Sequence, residues 1–427
     1  MLQARTVYEY DEIRSDELKL DGRDKKILDG LAYESVLNQS KDGYKATQYV
    51  GAIPLHSCVL EILPKIYRGE KDEENKKRNR LALLQMLSFV GVLEIKESEL
   101  LKKDLKRMNF FELMKYIFAK KLLEQTRDGI YRDYVPFEGN EKYLRGRLDL
   151  VKNLRLNYSN RSKFFIRHDD YTEDNVMNRT MASAVREMIP GASEVNRRLL
   201  AQLSAVFCDV GYENGSCLLM QRASKNRLNE RYWPSYEMAK VFLSRSVPIL
   251  YSGKDLLTYG FLFDMNYLFE YFVGKFLKRY STEIFEENAK VELQRMRKFG
   301  DLSIIPDVLI KLKDLTIILD TKYKEMPTEI SNTDIFQVYT YCMAQKEANK
   351  SKEVKGILLY PKHFEKETMT NDLTIKRSEI MVGDENSDFH AKICLRLIDL
   401  SMENDRLDRQ ELVNRFRDLF EEVINEE

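Results

Sequence analysis

The alternation of apolar and polar positions is clearest in Leu302–Lys324, where two runs rich in Ile, Leu and Val flank the charged pair Lys313 and Asp314. Short runs of this kind are typical of strands in a partly buried sheet. The pattern predicts a β-hairpin with this pair as its two-residue loop, although the pair lacks the glycine that such loops favour.

The predicted register places Asp307 directly opposite Asp320. Two carboxylates with Cβ atoms about 5 Å apart repel each other, and a cation between them would turn this cost into a site. Along the second strand Asp320 and Lys322 share a face, whereas Thr321 turns its side chain away and leaves its backbone carbonyl available. An ordinary surface hairpin with an acid pair across its strands is the alternative that the pattern leaves open.

Oxygen ligands of this kind suit Mg²⁺, with Mn²⁺ as a substitute. The chemistry that they predict is metal-assisted attack of water on a phosphodiester. Asp307, Asp320 and the Thr321 carbonyl would hold the metal. Lys322 would orient the water or help to deprotonate it, and would balance developing charge.

Helices are predicted on both sides of the hairpin. Apolar residues follow helical spacing in Phe261–Tyr280, and Glu270 on its flank is the candidate third acid and metal ligand, with a solvent-exposed glutamate as the alternative. In the helix predicted over Asp334–Glu347, Gln337 and Tyr341 lie one turn apart. Either both reach the site, or Tyr341 packs in the core while Gln337 faces water.

The surrounding sequence favours a site. Pro-Asp at 306–307 and Asp-Thr-Lys at 320–322 resemble the PD-(D/E)XK nuclease signature, and residues 337–341 resemble the Q-x-x-x-Y element of its RecB-like members. Further elements resemble the McrC family, the nuclease subunit of modification-dependent McrBC restriction systems. They are Tyr49–Leu55, Cys58–Ile66, the Gly-Arg-Leu at 146–148, Thr172–Asn178 and Phe261–Glu270.

The resemblance implies an α/β (α+β) protein with three parts. They are an N-terminal β-rich and helical partner-docking domain at 1–150, a helical connecting region at 151–255, and a PD-(D/E)XK restriction-endonuclease-like domain at 256–427. The last would have a central mixed sheet flanked by helices. The length of 427 residues by itself predicts two or three domains.

The resemblance also implies a function. An McrC-like chain would be an endonuclease subunit that cuts methylated or otherwise modified double-stranded DNA together with McrB, an AAA+ GTPase ring whose hydrolysis it stimulates. Asp307, Asp320 and Lys322 would be catalytic, with Glu270, Gln337 and Tyr341 beside them. Pairing of two complexes for double-strand cleavage stays open.

Composition bears on partners and compartment. Lys plus Arg and Asp plus Glu number 69 each, so a DNA-binding surface would be a local patch. The five cysteines show no C-x-x-C pair and are expected to be reduced. Because the chain shows neither a signal peptide nor a run long enough to cross a bilayer, we expect a cytoplasmic protein with no membrane partner.

Two other interpretations remain. The neutral charge and the long N-terminal half favour an adaptor that activates an NTPase ring and has only a secondary nuclease site. The nuclease motifs alone also fit a stand-alone RecB-like nuclease. The chain has no P-loop motif of its own. The highly charged segment Tyr67–Arg80 is predicted to be an exposed flexible loop, with helix from Leu81 onward.

Overall fold

The computed structural model describes residues 4–67, 72–93, 105, 108–212, 223–244, 258–259, 261–285, 289–294, 297–299, 302–324, 332–348, 353–362, 379–382, 391–401 and 409–425. These residues form two compact units. The first unit is built from the described residues of 111–261, and the second from those of 4–110 and 262–425.

The elements of both units alternate between strands and helices. The strands are β1 (Ala4–Tyr8), β2 (Glu12–Arg14), β3 (Leu37–Ser40), β4 (Gly43–Ala46), β5 (Tyr49–Pro54), β6 (Val59–Leu63), β7 (Asp133–Glu141), β8 (Arg147–Leu148), β9 (Phe164–Thr172), β10 (Thr258–Tyr259), β11 (Phe261–Asp264), β12 (Lys290–Leu293), β13 (Arg297–Phe299), β14 (Leu302–Ile304), β15 (Val308–Lys311), β16 (Leu315–Thr321), β17 (Glu353–Pro361), β18 (Glu379–Val382) and β19 (Ala391–Ile398). The α-helices are α1 (Ser15–Leu18), α2 (Gly22–Tyr33), α3 (Glu73–Val90), α4 (Phe110–Gln125), α5 (Leu150–Leu156), α6 (Val176–Met188), α7 (Glu194–Val206), α8 (Trp233–Ser244), α9 (Met265–Arg279), α10 (Ser281–Phe285), α11 (Asn332–Ala348) and α12 (Arg409–Asn425).

The first unit combines helices α4 to α8 with a three-stranded antiparallel sheet in the order β7-β9-β8. The junction between β9 and α6 is fixed by asparagine side chains. Asn175 caps α6 by accepting a hydrogen bond from the Asn178 N–H, and both asparagines donate to the Tyr131 carbonyl. Asn175 and Asn178 therefore stabilise the turn between β9 and α6, which is a structural role.

The N-terminal part of the second unit is β-rich, as predicted. Strand β1 pairs parallel with β6, β6 pairs antiparallel with β5, and β11 continues this sheet beyond β5. The predicted segments 1–150, 151–255 and 256–427 therefore do not coincide with the two units. Strand β11, which starts at residue 261, belongs to the same sheet as β1, which starts at residue 4, and this distant pairing leaves no local pattern in the sequence.

The C-terminal sheet has the order β12-β15-β16-β17-β19-β18. Strands β16, β17 and β19 are parallel and the other pairs are antiparallel, so the sheet is mixed. Helix α11 packs on the face of Ile318, Leu358 and Ile393. Lys355 on the opposite face donates to the Val423 carbonyl of α12. The predicted mixed sheet with flanking helices is confirmed.

Close contact between α11 and the sheet depends on Gly356. A Cβ atom at this position would lie 2.5 Å from a methyl carbon of Val338 and 3.2 Å from the sulfur of Cys342. Any side chain would push α11 away from β17. The glycine therefore sets how near the residues of α11 come to the end of β16.

Residues 73–80 of the charged segment Tyr67–Arg80 are helical and do not form the exposed loop that we predicted, whereas residues 68–71 lie outside the described residues. Helix α3 begins at Glu73, after Asp72 has accepted a hydrogen bond from the Asn75 N–H. A high density of charged residues does not predict an exposed loop here, because Arg80, the last residue of the segment, pairs with a buried carboxylate in the sheet.

That partner is Glu61, which is fully buried on β6. Its two oxygens accept hydrogen bonds from Arg80 at 2.6 and 2.7 Å. The Thr6 hydroxyl and the Phe110 N–H donate to the same carboxylate at 2.9 and 2.8 Å. Within the second unit, one buried charge thus connects β1, β6, α3 and Phe110.

Within the part of the chain that the structure describes, no helix combines the length and apolar character needed to cross a bilayer.

Replacing Glu61 with alanine should lower the free energy of unfolding by about 3–5 kcal/mol, because Arg80 would be left without its buried counter-charge. Urea denaturation followed by circular dichroism measures the change. The control is Glu74→Ala, which removes an exposed ion pair with Lys77 and should cost less than about 1 kcal/mol. Equal losses for the two variants would contradict the assigned role of Glu61.

Candidate active site

The hairpin forms in the predicted register. Val308 of β15 pairs with Leu319 of β16, and the Leu312 N–H donates to the Leu315 carbonyl at 2.9 Å. The loop is therefore the predicted pair of residues, and the antiparallel ladder confirms the hairpin. The chain before it differs from the prediction, because β14 ends at Ile304 and pairs with β13 rather than continuing into β15.

Asp307 precedes the first residue of β15 and lies at the open end of the ladder. Its Oδ2 atom accepts hydrogen bonds from the backbone N–H and the hydroxyl of Thr321, at 2.7 and 2.8 Å. Thr321 therefore orients Asp307 with two donors, a role that the sequence analysis missed. The predicted use of the Thr321 carbonyl as a metal ligand stays a prediction.

Asp320 is buried at the end of β16, with 1% of its surface exposed. The ammonium group of Lys322 lies 2.7 Å from its Oδ2 atom. This close ion pair compensates the charge of the buried Oδ2 atom, although the contact is not aligned well enough to count as a hydrogen bond. A cation bound at Asp320 would share this oxygen with the ammonium group of Lys322.

The pocket raises the pKa of both aspartates. Burial, followed by the charge of Asp307, raises the pKa of Asp320 to about 7. Burial, followed by the charge of Glu270, raises the pKa of Asp307 to about 6, although the donors of Thr321 oppose this shift. The carboxylates therefore repel each other when ionised, and a divalent cation would remove this cost.

Glu270, on α9, interacts electrostatically with both aspartates. Burial raises its pKa, and the charge of Asp320 adds to this effect. Its Oε1 atom accepts a hydrogen bond of 2.6 Å from the side-chain amide of Gln294. The alternative of a glutamate that only faces solvent does not agree with this half-buried, hydrogen-bonded position.

The carboxylates at the end of the hairpin are potential ligands for a metal ion. Among the described residues, no three His, Cys, Asp or Glu side chains converge as a group that could hold one ion. The hairpin end nevertheless offers two carboxylates with raised pKa values, and one of these has a buried oxygen without a hydrogen bond. Mg²⁺ is commonly held by one or two carboxylates and otherwise keeps its waters, so the residues fit this metal.

Lys322 is held between the sheet and α11. Its ammonium group donates to the Gln337 Oε1 atom at 3.1 Å, and the Gln337 amide donates to the Tyr341 hydroxyl at 2.8 Å. Tyr341 also packs against the core beside the sheet. The structure thus brings Gln337 and Tyr341 to the site, and Gln337 does not simply face water.

The charge state of Lys322 follows from its neighbours. Burial alone would lower its pKa, but the charges of Asp320, Asp334 and Asp307 raise the pKa above the ordinary value for lysine. The group is therefore cationic at neutral pH. It is suited to stabilising negative charge and is poorly suited to accepting a proton.

Sequence reasoning missed Asp334, in the first turn of α11. One of its oxygens lies 2.6 Å from the ammonium group of Lys324, and the other lies 3.8 Å from that of Lys322. A signal was present, because Asp334 is three residues before Gln337 and so lies on the same side of the helix.

A second contact ties the site to the N-terminal sheet. The hydroxyl of Tyr323, next to Lys322, donates to the Glu9 Oε1 atom at 2.9 Å, and the ring of Tyr323 packs against Phe269 of α9. Glu9 directly follows β1, so two segments more than 300 residues apart meet beside the site.

The fold and the site define an α/β protein whose mixed sheet presents two aspartates and a lysine at the end of a hairpin. The chain belongs to the family described as McrBC 5-methylcytosine restriction system component, whose model matches residues 44–361. It is a component of this type of restriction system.

Two known proteins illustrate the relationship. The chain is 22% identical over 289 residues to the type IV methyl-directed restriction enzyme EcoKMcrBC of Escherichia coli strain K12, covering 63% of this chain and 81% of that one. Its structure is similar to a chain in the refined half-complex from the tetradecameric assembly of Thermococcus gammatolerans McrB AAA+ hexamers with bound McrC. That match has a TM-score of 0.65 and 23% identity, and covers 99% of this chain and 100% of that chain. The likeness confirms the mixed α/β fold.

Asp320→Asn should stabilise the metal-free protein at neutral pH, because it removes one charge from the pocket. The Asp320 pKa is raised, so the cost of ionisation is absent below the unfolded value near 4 and grows as pH rises through about 7. We expect a gain on the order of 1 kcal/mol or more above pH 7, since each pKa unit corresponds to about 1.4 kcal/mol, and none near pH 4. Thermal unfolding with EDTA across this pH range measures it.

The control is Asp314→Asn in the exposed hairpin loop. It removes a charge of the same sign from the same hairpin and should show no such dependence on pH. A constant difference between Asp320→Asn and wild type from pH 4 to pH 8 would contradict the repulsion in the pocket.

Proposed function

We propose that this chain is the DNA-cleaving subunit of a McrBC-type complex, a Mg²⁺-dependent endonuclease that acts on methylated double-stranded DNA together with an AAA+ GTPase ring. The observation that carries the proposal is the meeting of Asp307, Asp320 and Lys322 at the end of the hairpin. Membership of the restriction family supports the substrate class. The methyl-directed activity named for EcoKMcrBC agrees with it.

We assign the C-terminal sheet to the PD-(D/E)XK class of nuclease folds. The hairpin of β15 and β16 is followed by the parallel strand β17, with α9 before it and α11 after it. The acid of α9, the two aspartates of the hairpin and the Gln-Tyr pair of α11 occupy the order that the signature requires.

In the proposed reaction, Asp307, Asp320 and the Thr321 carbonyl would hold Mg²⁺, with Mn²⁺ able to replace it and Glu270 as the third acid. The bound ion would polarise a phosphate oxygen and acidify a water molecule. Thr321 keeps Asp307 oriented for this role by donating from both its N–H and its hydroxyl.

Lys322 would act on the charge that develops at the phosphate. It is cationic, and Asp320 and Gln337 fix its ammonium group at 2.7 and 3.1 Å. A fixed cation at the reacting group stabilises a transition state without reorganising during the reaction. Gln337 is itself held by Tyr341, so α11 sets the position of the lysine.

A second role, as an activator of the GTPase ring, is favoured by the surface of the first unit. Helix α5 contains no buried residue, and Leu150, Val151 and Leu154 are 64, 67 and 66% exposed. Exposed apolar clusters of this kind mark surfaces for other proteins. We propose that this helix contacts the AAA+ partner, since the similar chain from Thermococcus gammatolerans is bound to McrB AAA+ hexamers.

Asp320→Ala should reduce cleavage of methylated DNA by the reconstituted complex at least about 100-fold, since it removes a metal ligand and the partner of Lys322. Stimulation of the partner's GTPase should be unchanged. Asp314→Ala is the control and should cut normally. Full cleavage by Asp320→Ala would exclude the proposed site, and equal loss of GTPase stimulation would argue against separate roles.

Changing Leu150, Val151 and Leu154 together to serine should weaken GTPase stimulation at least about 10-fold, the effect of losing roughly 1.4 kcal/mol of binding. The melting temperature should stay the same, because none of the three side chains is buried. Titration of the GTPase rate against this chain measures the effect. Tyr33→Ser, an exposed apolar change in the second unit, is the control. Unchanged stimulation would remove α5 from the docking surface.

The purified chain without its partner should cut DNA far more slowly than the complex does. Rapid metal-dependent degradation by the chain alone would favour the stand-alone nuclease instead.

A further inference from the structure

Gln294 lies where the sheet meets two of the candidate acids. Strand β12 ends at Leu293, which pairs with Val308. The Gln294 N–H then donates to the Asp307 carbonyl at 3.0 Å. The residue therefore holds the backbone of Asp307 from the side opposite to the one where Thr321 holds its carboxylate.

The side chain of Gln294 reaches the third acid. Its Nε2 atom donates to the Glu270 Oε1 atom at 2.6 Å, and its Oε1 atom accepts a hydrogen bond of 3.2 Å from the Tyr271 hydroxyl. The reverse orientation of the amide would place its oxygen against the Glu270 carboxylate, which has no proton to give when ionised. Glu270 thus fixes the orientation of the amide, and Tyr271 supports it.

The backbone conformation of Gln294 would favour glycine over glutamine at this position. Its φ angle is +42°, in the left-handed region where a residue with a Cβ atom is strained and glycine is not. Strained backbone of this kind is often found at functional sites. What the side chain adds, and glycine cannot, is the amide group between Glu270 and Tyr271.

We infer that Gln294 is a positioning residue of the candidate active site, which fixes the Glu270 carboxylate where its charge acts on Asp307 and Asp320, and so determines how tightly the site holds its divalent cation. The inference rests on the proposed function. Without the amide, repulsion from the two aspartates would turn Glu270 away from the pocket. Residues that orient metal ligands in this way commonly affect metal affinity by about 10–100-fold.

The test compares the Mg²⁺ concentration required for half-maximal cleavage by the full complex with partner and methylated DNA. Gln294→Gly removes the amide and relieves the backbone, and should raise this concentration about 10-fold. Gln294→Met keeps the side-chain length and the backbone strain but lacks the amide, and should give the same shift. An equal shift in both variants excludes loosening of the turn by glycine as the cause. Ser35→Gly relieves a left-handed residue at φ +60°, far along the chain from the hairpin, and should change nothing.

A second readout does not depend on cleavage. Mn²⁺ added to the full-length chain should raise its melting temperature, and the Gln294 variants should require about 10-fold more Mn²⁺ for the same rise. In a Glu270→Gln background, Gln294→Gly should produce little further shift, because the amide acts through Glu270. A purely structural role would give additive effects.

The outcomes separate the inference from the proposed function. An unchanged Mg²⁺ requirement in Gln294→Gly and Gln294→Met, with Asp320→Ala inactive, would overturn the positioning role and leave the nuclease site intact. Full cleavage by Asp320→Ala would instead overturn the site itself. A full additional shift in the Glu270→Gln background would also overturn the inference.

Discussion

Repulsion between carboxylates in a half-buried pocket is the constraint on which the second unit depends. Two aspartates at the end of a sheet, within reach of the charge of Glu270 on α9, are unfavourable unless each charge has a partner. The structure supplies one for each acid. Thr321 donates to Asp307, Lys322 pairs with Asp320, and an amide donates to Glu270. Even with these partners the pKa values of both aspartates stay raised, so their ionisation keeps a free-energy cost that the proposed divalent ion would remove.

The sheet places these groups with little freedom. A two-residue loop fixes the hairpin register, and a shift by one residue would turn Asp320 to the opposite face. Close packing of α11 at Gly356 then sets the distance between the helix and the end of β16. The position of Lys322 therefore depends on the pairing of the backbone and on the glycine at 356, in addition to its own polar contacts.

Sequence alone was sufficient where the signal was local. The apolar runs, the loop between them and the period of two along β16 placed Asp307, Asp320 and Lys322 correctly relative to one another on the hairpin. It failed where partners are distant in the chain. Neither the junction of β11 with β5 nor the pairing of Arg80 with Glu61 leaves a local pattern. The predicted domain limits therefore do not coincide with the two units, and the loop prediction was wrong where α3 begins.

Gln294 and Asp334 were missed for a related reason. Each is an ordinary polar residue that gains its importance from a neighbour that only folding brings close. Their roles at the site follow from hydrogen bonds of 2.6 Å to Glu270 and of 2.6 Å between Asp334 and Lys324. Spacing along one helix gave a hint for Asp334, whereas nothing in the sequence around Gln294 indicates its left-handed backbone.

The bond from Glu9 to Tyr323 has a consequence for how this chain can be divided. A fragment that begins after residue 255 would lose the acceptor of the Tyr323 hydroxyl and would leave one edge of β11 without its neighbour strand. The C-terminal part that contains the candidate active site is thus not a detachable module. Fusions, truncations and domain exchanges in this protein should treat the first hundred residues and the last hundred and sixty as one inseparable piece, and exchange only what lies between them.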